Sequence, residues 1–208
     1  LEAVSFAREK KLPLVVLGGG SNVLLSDTKL NAVVVKNEMR GIEWIPLSIP
    51  PLSAEGRIRR GGKRGEGKGD VVVIAGAGES WDGLVVEAVR RGFWGIENLS
   101  GIPGTVGGAP IQNIGAYGVE LKNILEWLEV FDARTLATRK LTNAECGFGY
   151  RDSVFKHPEG KSFIVTRVAL HLKKSGVPNL TYKDVRNHFA HSYSPFVKGS
   201  TRQTFSEK

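Results

Sequence analysis

The feature that most limits how this chain can fold is a stretch dense in glycine and proline, which runs from Gly101 to Gly118. Flexible linkers combine glycine with polar residues, whereas the neighbours here are mostly Ile, Val, Ala and Pro. Glycine lets a backbone approach another surface closely, because it has no Cβ. We therefore predict that this stretch is packed against something flat or bulky and is not a linker.

A second glycine cluster consists of Gly18, Gly19, Gly20, Ser21 and Asn22, directly after the apolar run Leu14–Leu17. Unobstructed amides and two polar side chains could bind a diphosphate. The cluster is not a dinucleotide fingerprint, because Val23 stands where the third glycine would fall, and no Gly-Lys-Ser/Thr follows as in a P-loop. Taken alone it favours a plain turn. A ligand with both a diphosphate and a planar ring, such as a flavin dinucleotide, would use both glycine clusters.

The apolar periodicity predicts an α+β fold in which strands outnumber helices and do not alternate with them as βαβ units. Spacing of i, i+3, i+4 from Trp81 to Val89, with Ser80 as the cap and Gly92 beyond, predicts a helix. Another helix is predicted within Leu1–Lys11, with Val4 and Ala7 on its apolar side and Phe6 as a further candidate, and a capping box predicts a short one from Thr142. Strands are predicted at Leu14–Leu17, Val23–Leu25, Ala32–Val35, Val71–Ala75, Leu125–Phe131 and Phe163–Leu172.

Half of the net charge of +8 lies in one segment. Residues 56–70 carry six basic and two acidic side chains among six glycines, which cannot bury an apolar face. A nucleic-acid or other polyanion patch is the alternative, but the segment lacks the interleaved aromatic residues of such a patch. We predict a solvated loop insertion at about 48–70, and we do not expect nucleic acid as a partner.

Composition indicates a globular chain, with 41% apolar and 24% charged residues. No apolar run is long enough to span a bilayer and the first residues do not resemble a secretory signal, so we expect no membrane association. The single cysteine, Cys146, cannot form an internal disulfide, which favours a cytoplasmic protein. The histidines His157, His171, His188 and His191 lack metal-ligand spacing, and no metal is expected. The sequence specifies no oligomeric state.

Five motifs together resemble one known family. They are LGGGSNVL at 17–24, GAGE at 76–79, GIENLSGIPG at 95–104, PIQNIGAYG at 110–118 and GYRDSVFK at 149–156. In this order they closely resemble the UDP-N-acetylenolpyruvoylglucosamine reductases of bacterial peptidoglycan synthesis. The likeness extends from about Leu12 to Asp184 and is interrupted between Ser48 and Asp70.

The resemblance implies an FAD-binding domain of the vanillyl-alcohol-oxidase (PCMH) type. This domain would occupy residues 1–185 with its N-terminal part missing, and an atypical tail at 186–208 would replace a substrate domain that is largely absent. In the family, NADPH reduces FAD, and the enolpyruvyl ether of UDP-N-acetylglucosamine then takes hydride from the flavin. Such an enzyme acts in cell-wall biogenesis, and through it in cell shape and cell division.

The resemblance also implies roles for particular residues. Arg151 would be catalytic, by stabilising charge on the substrate carboxylate; the alternative is a salt bridge to Asp152 or another neighbour. Tyr182 would bind the UDP-sugar substrate; the alternative is a buried aromatic ring with a bonded hydroxyl. The pyrophosphate of FAD would lie at Gly18, Gly19, Gly20, Ser21 and Asn22, and the flavin ring would lie along Ala109, Ile111, Gly115, Tyr117 and Val165.

The chain departs from the family pattern after Arg186. The family's proton donor is a serine in a Gly-Ser-Phe-Phe-Lys motif, and a glutamate near the C-terminus completes the site; neither motif occurs here. We interpret Ser200, in Lys-Gly-Ser-Thr, as a tail serine. We therefore expect the chain to be incomplete for catalysis. The alternatives are another oxidoreductase of the same flavin superfamily and a non-catalytic protein that binds flavin or a polyanion.

Overall fold

The structure is a computed structural model that describes residues 1–25, 27–47 and 69–190. Most of the predicted basic insertion and nearly all of the predicted tail, with Ser200, lie outside the described residues. The helices are α1 (Glu2–Glu9), α2 (Trp81–Arg90) and α3 (Lys183–Ala190). The strands are β1 (Leu14–Leu17), β2 (Val33–Lys36), β3 (Ile42–Pro46), β4 (Val71–Gly76), β5 (Gly115–Ala116), β6 (Val119–Glu120), β7 (Leu125–Asp132), β8 (Ala137–Thr142) and β9 (Phe163–Leu172).

The main sheet is antiparallel, with the strand order β3-β4-β9-β7-β8. Strands β1 and β2 form a separate parallel pair, and β5 and β6 form a short hairpin. Helix α2 buries Trp81, Leu84, Val85 and Ala88 in the same core as the inner face of the sheet. Trp81 Nε1 donates to the Leu99 carbonyl at 2.9 Å, so the start of α2 is fixed to the segment that leads into the glycine-rich stretch.

Most of the predicted elements are confirmed. Helix α2 begins as predicted, with Ser80 Oγ accepting from the Gly83 amide at 3.2 Å. The short helix near Thr142 forms as a 3-10 turn, in which Thr142 and Glu145 exchange hydrogen bonds. Strands β1, β2, β4, β7 and β9 lie where sequence patterning predicts them. Among the described residues, no helix has the length and apolar character needed to cross a bilayer.

Two apolar predictions are wrong. Val23–Leu25 is not a strand, and Leu24 is 99% exposed. Because β1 and β2 are parallel, the chain between them must cross back to the start of the pair, and Val23–Leu25 belongs to that crossover. Phe6, the further candidate, is half exposed, whereas Val4 and Ala7 are buried.

His171 on β9 lies between two carboxylates. Its Nε2 is 3.1 Å from Asp70 Oδ2, and its Nδ1 is 3.4 Å from Glu126 Oε1. Hydrogen bonding to Glu126 raises the pKa of His171 above its ordinary value, burial opposes this shift, and hydrogen bonding to Asp70 adds to it. A pKa raised by folding means that the native state binds the proton more tightly than the unfolded state does.

The free energy of unfolding should therefore fall as the pH rises through the raised pKa of His171. Protonated His171 contributes its full stabilisation below the unfolded pKa of about 6.5. Above the folded pKa we expect the free energy of unfolding to be lower by no more than about 1 kcal/mol, because the ion pairs of His171 with Asp70 and Glu126 are partly exposed. Urea unfolding at a series of pH values measures this change in the free energy of unfolding. His171→Gln should flatten this dependence; equal pH dependence in His171→Gln and the natural chain would contradict the prediction.

Candidate functional site

The two glycine clusters of the sequence meet in the structure. A Cβ on Gly18 would collide with Thr105 Oγ1, and a Cβ on Gly19 would fall 3.6 Å from Gly104 Cα. Gly104 has a φ of +120°, a conformation that favours glycine. Asn22 Nδ2 donates to Gln112 Oε1 at 3.1 Å. Residues 18–22 and 104–112 therefore form one continuous surface, which we call the glycine cradle.

The backbone of the glycine-rich stretch packs closely against other parts of the protein, as predicted. A Cβ on Gly107 would fall 2.5 Å from Ala77 Cβ, so Ala77 and Gly107 are in close backbone contact. The Gly107 amide donates to the Ala77 carbonyl at 2.8 Å, and the Val106 amide donates to the Glu79 carbonyl at 2.9 Å. Val106 and Ile114 are buried. These contacts hold one wall of the cradle rigidly against the end of β4 and the start of α2.

The cradle borders two cavities. The first has a volume of about 190 Å³ and is lined by Gly18 to Asn22 together with Trp81, Thr105, Ala109 and Ile111, among others. The second, of about 380 Å³, includes Val165 and Phe155 in its lining. Both cavities are lined by Gly18, Thr105 and Ile111, which places Ala109, Ile111 and Val165 around adjoining spaces.

Polar groups of the cradle are suited to an anionic ligand. Among the described residues, no backbone carbonyl accepts a hydrogen bond from the amides of Gly18 to Asn22, and Thr105 Oγ1 is buried without a described partner. The described lining of the first cavity contains no carboxylate. A diphosphate would therefore meet N–H and O–H donors and no like charge, and the residues present fit the diphosphate of FAD.

A third cavity, of about 570 Å³, collects the other predicted site residues. Its lining includes Gly115, Tyr117, Arg151 and Tyr182. The rings of Tyr117 and Tyr182 are in edge-to-face contact, with centroids 5.5 Å apart. Arg151 Nη2 donates to the Gly115 carbonyl at 3.2 Å. The structure thus brings Arg151 and Tyr182 together, and it separates Gly115 and Tyr117 from the cavities that hold Ala109, Ile111 and Val165.

Both alternatives for Arg151 and Tyr182 are wrong. Arg151 forms no salt bridge with Asp152 or with another carboxylate among the described residues. Asp152 Oδ2 lies 2.9 Å from His157 Nε2, and this hydrogen bond is the main cause that lowers the pKa of Asp152. Arg151 is exposed and has a φ of +52°, and its carbonyl accepts from Lys156 Nζ. Tyr182 is 47% exposed and is not a buried core ring. Both side chains therefore face the cavity with their functional groups accessible.

Sequence reasoning missed Asn113, which organises the third cavity. It is buried, with a φ of +43°. Its Nδ2 donates to the Gly149 carbonyl at 3.0 Å and to Glu120 Oε2 at 3.1 Å, and its Oδ1 accepts from the Lys122 amide at 3.0 Å. Asparagine tolerates left-handed backbone better than most residues. An asparagine directly before Ile114 in the glycine-rich stretch was therefore the sequence signal that could have indicated a left-handed turn at this position. Within the described ranges, no cluster of three metal-ligating side chains is present.

The family match and the sequence relatives of this chain agree with each other. Residues 1–137 match the family described as FAD binding domain. The chain is 42% identical over 185 residues to a protein of Pseudomonas syringae pv. tomato, covering 89% of this chain and 48% of that protein. It is also 42% identical over 187 residues to one of Pseudomonas aeruginosa, with the same coverages. Both are named UDP-N-acetylenolpyruvoylglucosamine reductase. The chain spans about half the length of the curated relatives it matches.

Solved structures agree with the sequence relatives. The UDP-N-acetylenolpyruvylglucosamine reductase of Thermus caldophilus is similar, with a TM-score of 0.54 and 30% identity over 92% of this chain and 59% of that one. A vanillyl-alcohol-oxidase-type flavoprotein of Myceliophthora thermophila has a TM-score of 0.57 at 14% identity, covering 82% of this chain and 29% of that one, and shows the fold alone. The predicted α+β fold class and the predicted resemblance are confirmed.

Proposed function

The chain belongs to the FAD-binding domain family and is related in sequence to the UDP-N-acetylenolpyruvoylglucosamine reductases, and from this premise we propose that it holds FAD for such a reduction. When bound, FAD would supply hydride transfer to the substrate. The enolpyruvyl ether of a UDP-sugar is the substrate class that the names of the relatives support. NADPH is the proposed hydride donor, the cytoplasm the proposed location, and peptidoglycan synthesis the proposed process.

The observation that carries this proposal is the glycine cradle. Its amide groups, the Thr105 hydroxyl without a described partner and a described lining that contains no carboxylate suit the FAD diphosphate. We assign that binding to Gly18, Gly19, Gly20, Ser21 and Asn22. We assign the sides of the flavin ring to Ala109, Ile111 and Val165, whose apolar atoms border the adjoining cavities, and its substrate-facing part to Gly115 and Tyr117.

Arg151 and Tyr182 are assigned to the substrate. Hydride addition beside a carboxylate increases negative charge on the carboxylate oxygens, and a fixed guanidinium stabilises such charge. Arg151 is positioned for this by its bond to the Gly115 carbonyl and by Lys156. Tyr182, in contact with Tyr117, would cover the nucleotide half of the substrate. We place the FAD-binding unit at 1–185, a boundary that lies within α3, and a distinct tail at 186–208.

Titration with two flavins tests the proposal. The chain should bind FAD and should bind riboflavin, which lacks the diphosphate and the adenosine, at least about a hundredfold more weakly, because two or more charge-assisted hydrogen bonds are lost. Quenching of flavin fluorescence measures both affinities. Equal affinity for the two flavins would remove the diphosphate assignment, and absence of binding by either would overturn the proposed function.

A further inference from the structure

Two opposite charges, Glu120 and Arg151, meet over Gly115 without pairing. Gly115 is the register partner of Glu120 in the β5–β6 hairpin, and a Cβ on Gly115 would fall 2.9 Å from Glu120 Cγ. Arg151 Nη2 donates to the carbonyl of the same glycine at 3.2 Å. Both side chains line the third cavity. Nevertheless, Arg151 makes no ion pair with any carboxylate in the part of the chain that the structure describes.

The Glu120 carboxylate is occupied by other donors. Lys122 Nζ lies 2.7 Å from Glu120 Oε2, and Asn113 Nδ2 donates to the same oxygen at 3.1 Å. The Asn123 backbone amide also donates to this side chain. The hydrogen bond from Lys122 is the main cause that lowers the pKa of Glu120; burial opposes the shift, and Arg151 contributes least. Glu120 is therefore ionised and already satisfied on its own side of the hairpin.

We propose that Asn113 and Lys122 are positioning residues that hold Glu120 away from Arg151 and so keep the guanidinium available to a carboxylate ligand. The proposal rests on the proposed function, in which that ligand is the enolpyruvyl carboxylate. A guanidinium that was paired with Glu120 would have to break a charge-assisted bond before it could bind substrate. Asn113 Nδ2 also donates to the Gly149 carbonyl, two residues before Arg151. The buried side-chain amide of Asn113 therefore holds both the Glu120 carboxylate and the backbone that leads to Arg151.

Lys122 gives the cleaner test, because its ion pair is partly exposed and contributes little to stability. The full chain without flavin is treated with phenylglyoxal, an arginine-selective dicarbonyl, and modification at each arginine is followed by peptide mass spectrometry. In Lys122→Met the Glu120 carboxylate should turn to Arg151 and slow its modification by about two- to fivefold relative to Arg139, an effect of the size of one exposed ion pair. Arg139 serves as the internal reference because it lies on β8.

A second substitution separates charge pairing from a structural effect. In Lys122→Met/Glu120→Gln the Arg151 rate should return to that of the natural chain, because no carboxylate remains to pair with it. An unchanged Arg151 rate in Lys122→Met would overturn the proposal, and so would slowing that persists in the double variant. Asn113→Ala in the Lys122→Met background should slow Arg151 further; if that variant does not fold, the Lys122→Met comparison decides. Neither flavin nor substrate is present, so failure here is distinct from failure of the flavin titration.

Discussion

Replacing Gly19 with valine is expected to abolish FAD binding and to leave the fold intact. The nearest described atoms to a Cβ on Gly19 are Gly104 Cα at 3.6 Å and Thr105 Cγ2 at 3.8 Å, which are ordinary contacts. The larger side chain would instead project toward the space that we assign to the diphosphate. Losing two charge-assisted hydrogen bonds costs about 3 kcal/mol or more, which is over a hundredfold in affinity. Flavin fluorescence measures the affinity, and thermal unfolding followed by circular dichroism checks the fold.

Two other glycines serve as controls for this result. Gly83→Ala lies within α2, where a Cβ meets Ser80 at 3.3 Å, and this variant should bind FAD as the natural chain does. Gly18→Val should behave differently from Gly19→Val, because its Cβ would collide with Thr105 and lower the melting temperature as well. If Gly19→Val binds FAD as tightly as the natural chain, residues 18–22 form a plain turn and the diphosphate lies elsewhere.

The second large effect concerns turnover. We expect the 208-residue chain, loaded with FAD and reduced under anaerobic conditions, to convert no detectable enolpyruvyl substrate to its lactyl product. Arg151 is assigned to charge stabilisation in our proposal, but the sequence contains no match to the Gly-Ser-Phe-Phe-Lys motif that the family resemblance implies for the proton donor. Absence of a positioned general acid costs a factor of about 10² to 10⁴. Return of oxidised-flavin absorbance, together with product analysis by mass spectrometry, measures the reaction.

NADPH provides the matched control for the turnover experiment. Oxidation of NADPH by the loaded chain in air needs only the flavin and a docked nicotinamide, so slow oxidation is expected even without product. The informative variant is Ser200→Ala. Product formation at the rate of an ordinary enzyme, abolished by Ser200→Ala, would show that the residues after Arg186 supply the donor and that our interpretation of Ser200 as a tail serine is wrong.

The apolar periodicity of the sequence was sufficient to predict the helices and strands that build the core. The remaining strands form only through pairing with neighbouring strands in the folded sheet, which the sequence does not show. The Trp81 to Val89 spacing specifies α2 because Trp81, Leu84, Val85 and Ala88 are buried on one side of the helix. Val89, the last position of the predicted apolar set, is 51% exposed. Strand β8 was not predicted, because five of its six residues are exposed and its sequence has no alternation; pairing with β7 forms it. Edge strand β3, which ends at Pro46, was also missed, although Ile42 and Trp44 alternate with the exposed Glu43 and Ile45. Val23–Leu25 shows the converse, since an apolar run without a partner strand stays a loop.

The candidate site could be predicted as a set of residues but not as an arrangement. Motifs identified Arg151 and the cradle, yet they could not show that Gly115 supports both Arg151 and Glu120, because that depends on the hairpin register. The pairing of Asp152 with His157 was equally invisible, although the two residues are only five positions apart. Asn113 escaped notice because its importance lies in three hydrogen bonds, to Glu120, Lys122 and Gly149, that form only when the hairpin and the Gly149 segment fold against it.

The position of β9 in the main sheet has a consequence for how this chain folds during synthesis. Strand β9 pairs with β4 on one side and β7 on the other, although β4 ends at Gly76 and β9 begins at Phe163. Pairings between segments so distant in sequence form slowly, because the intervening chain must first be ordered. Until the ribosome has released Leu172, β4 and β7 both present an unpaired edge, and such edges promote aggregation. The nascent chain therefore depends on β9 to cover the edges of β4 and β7.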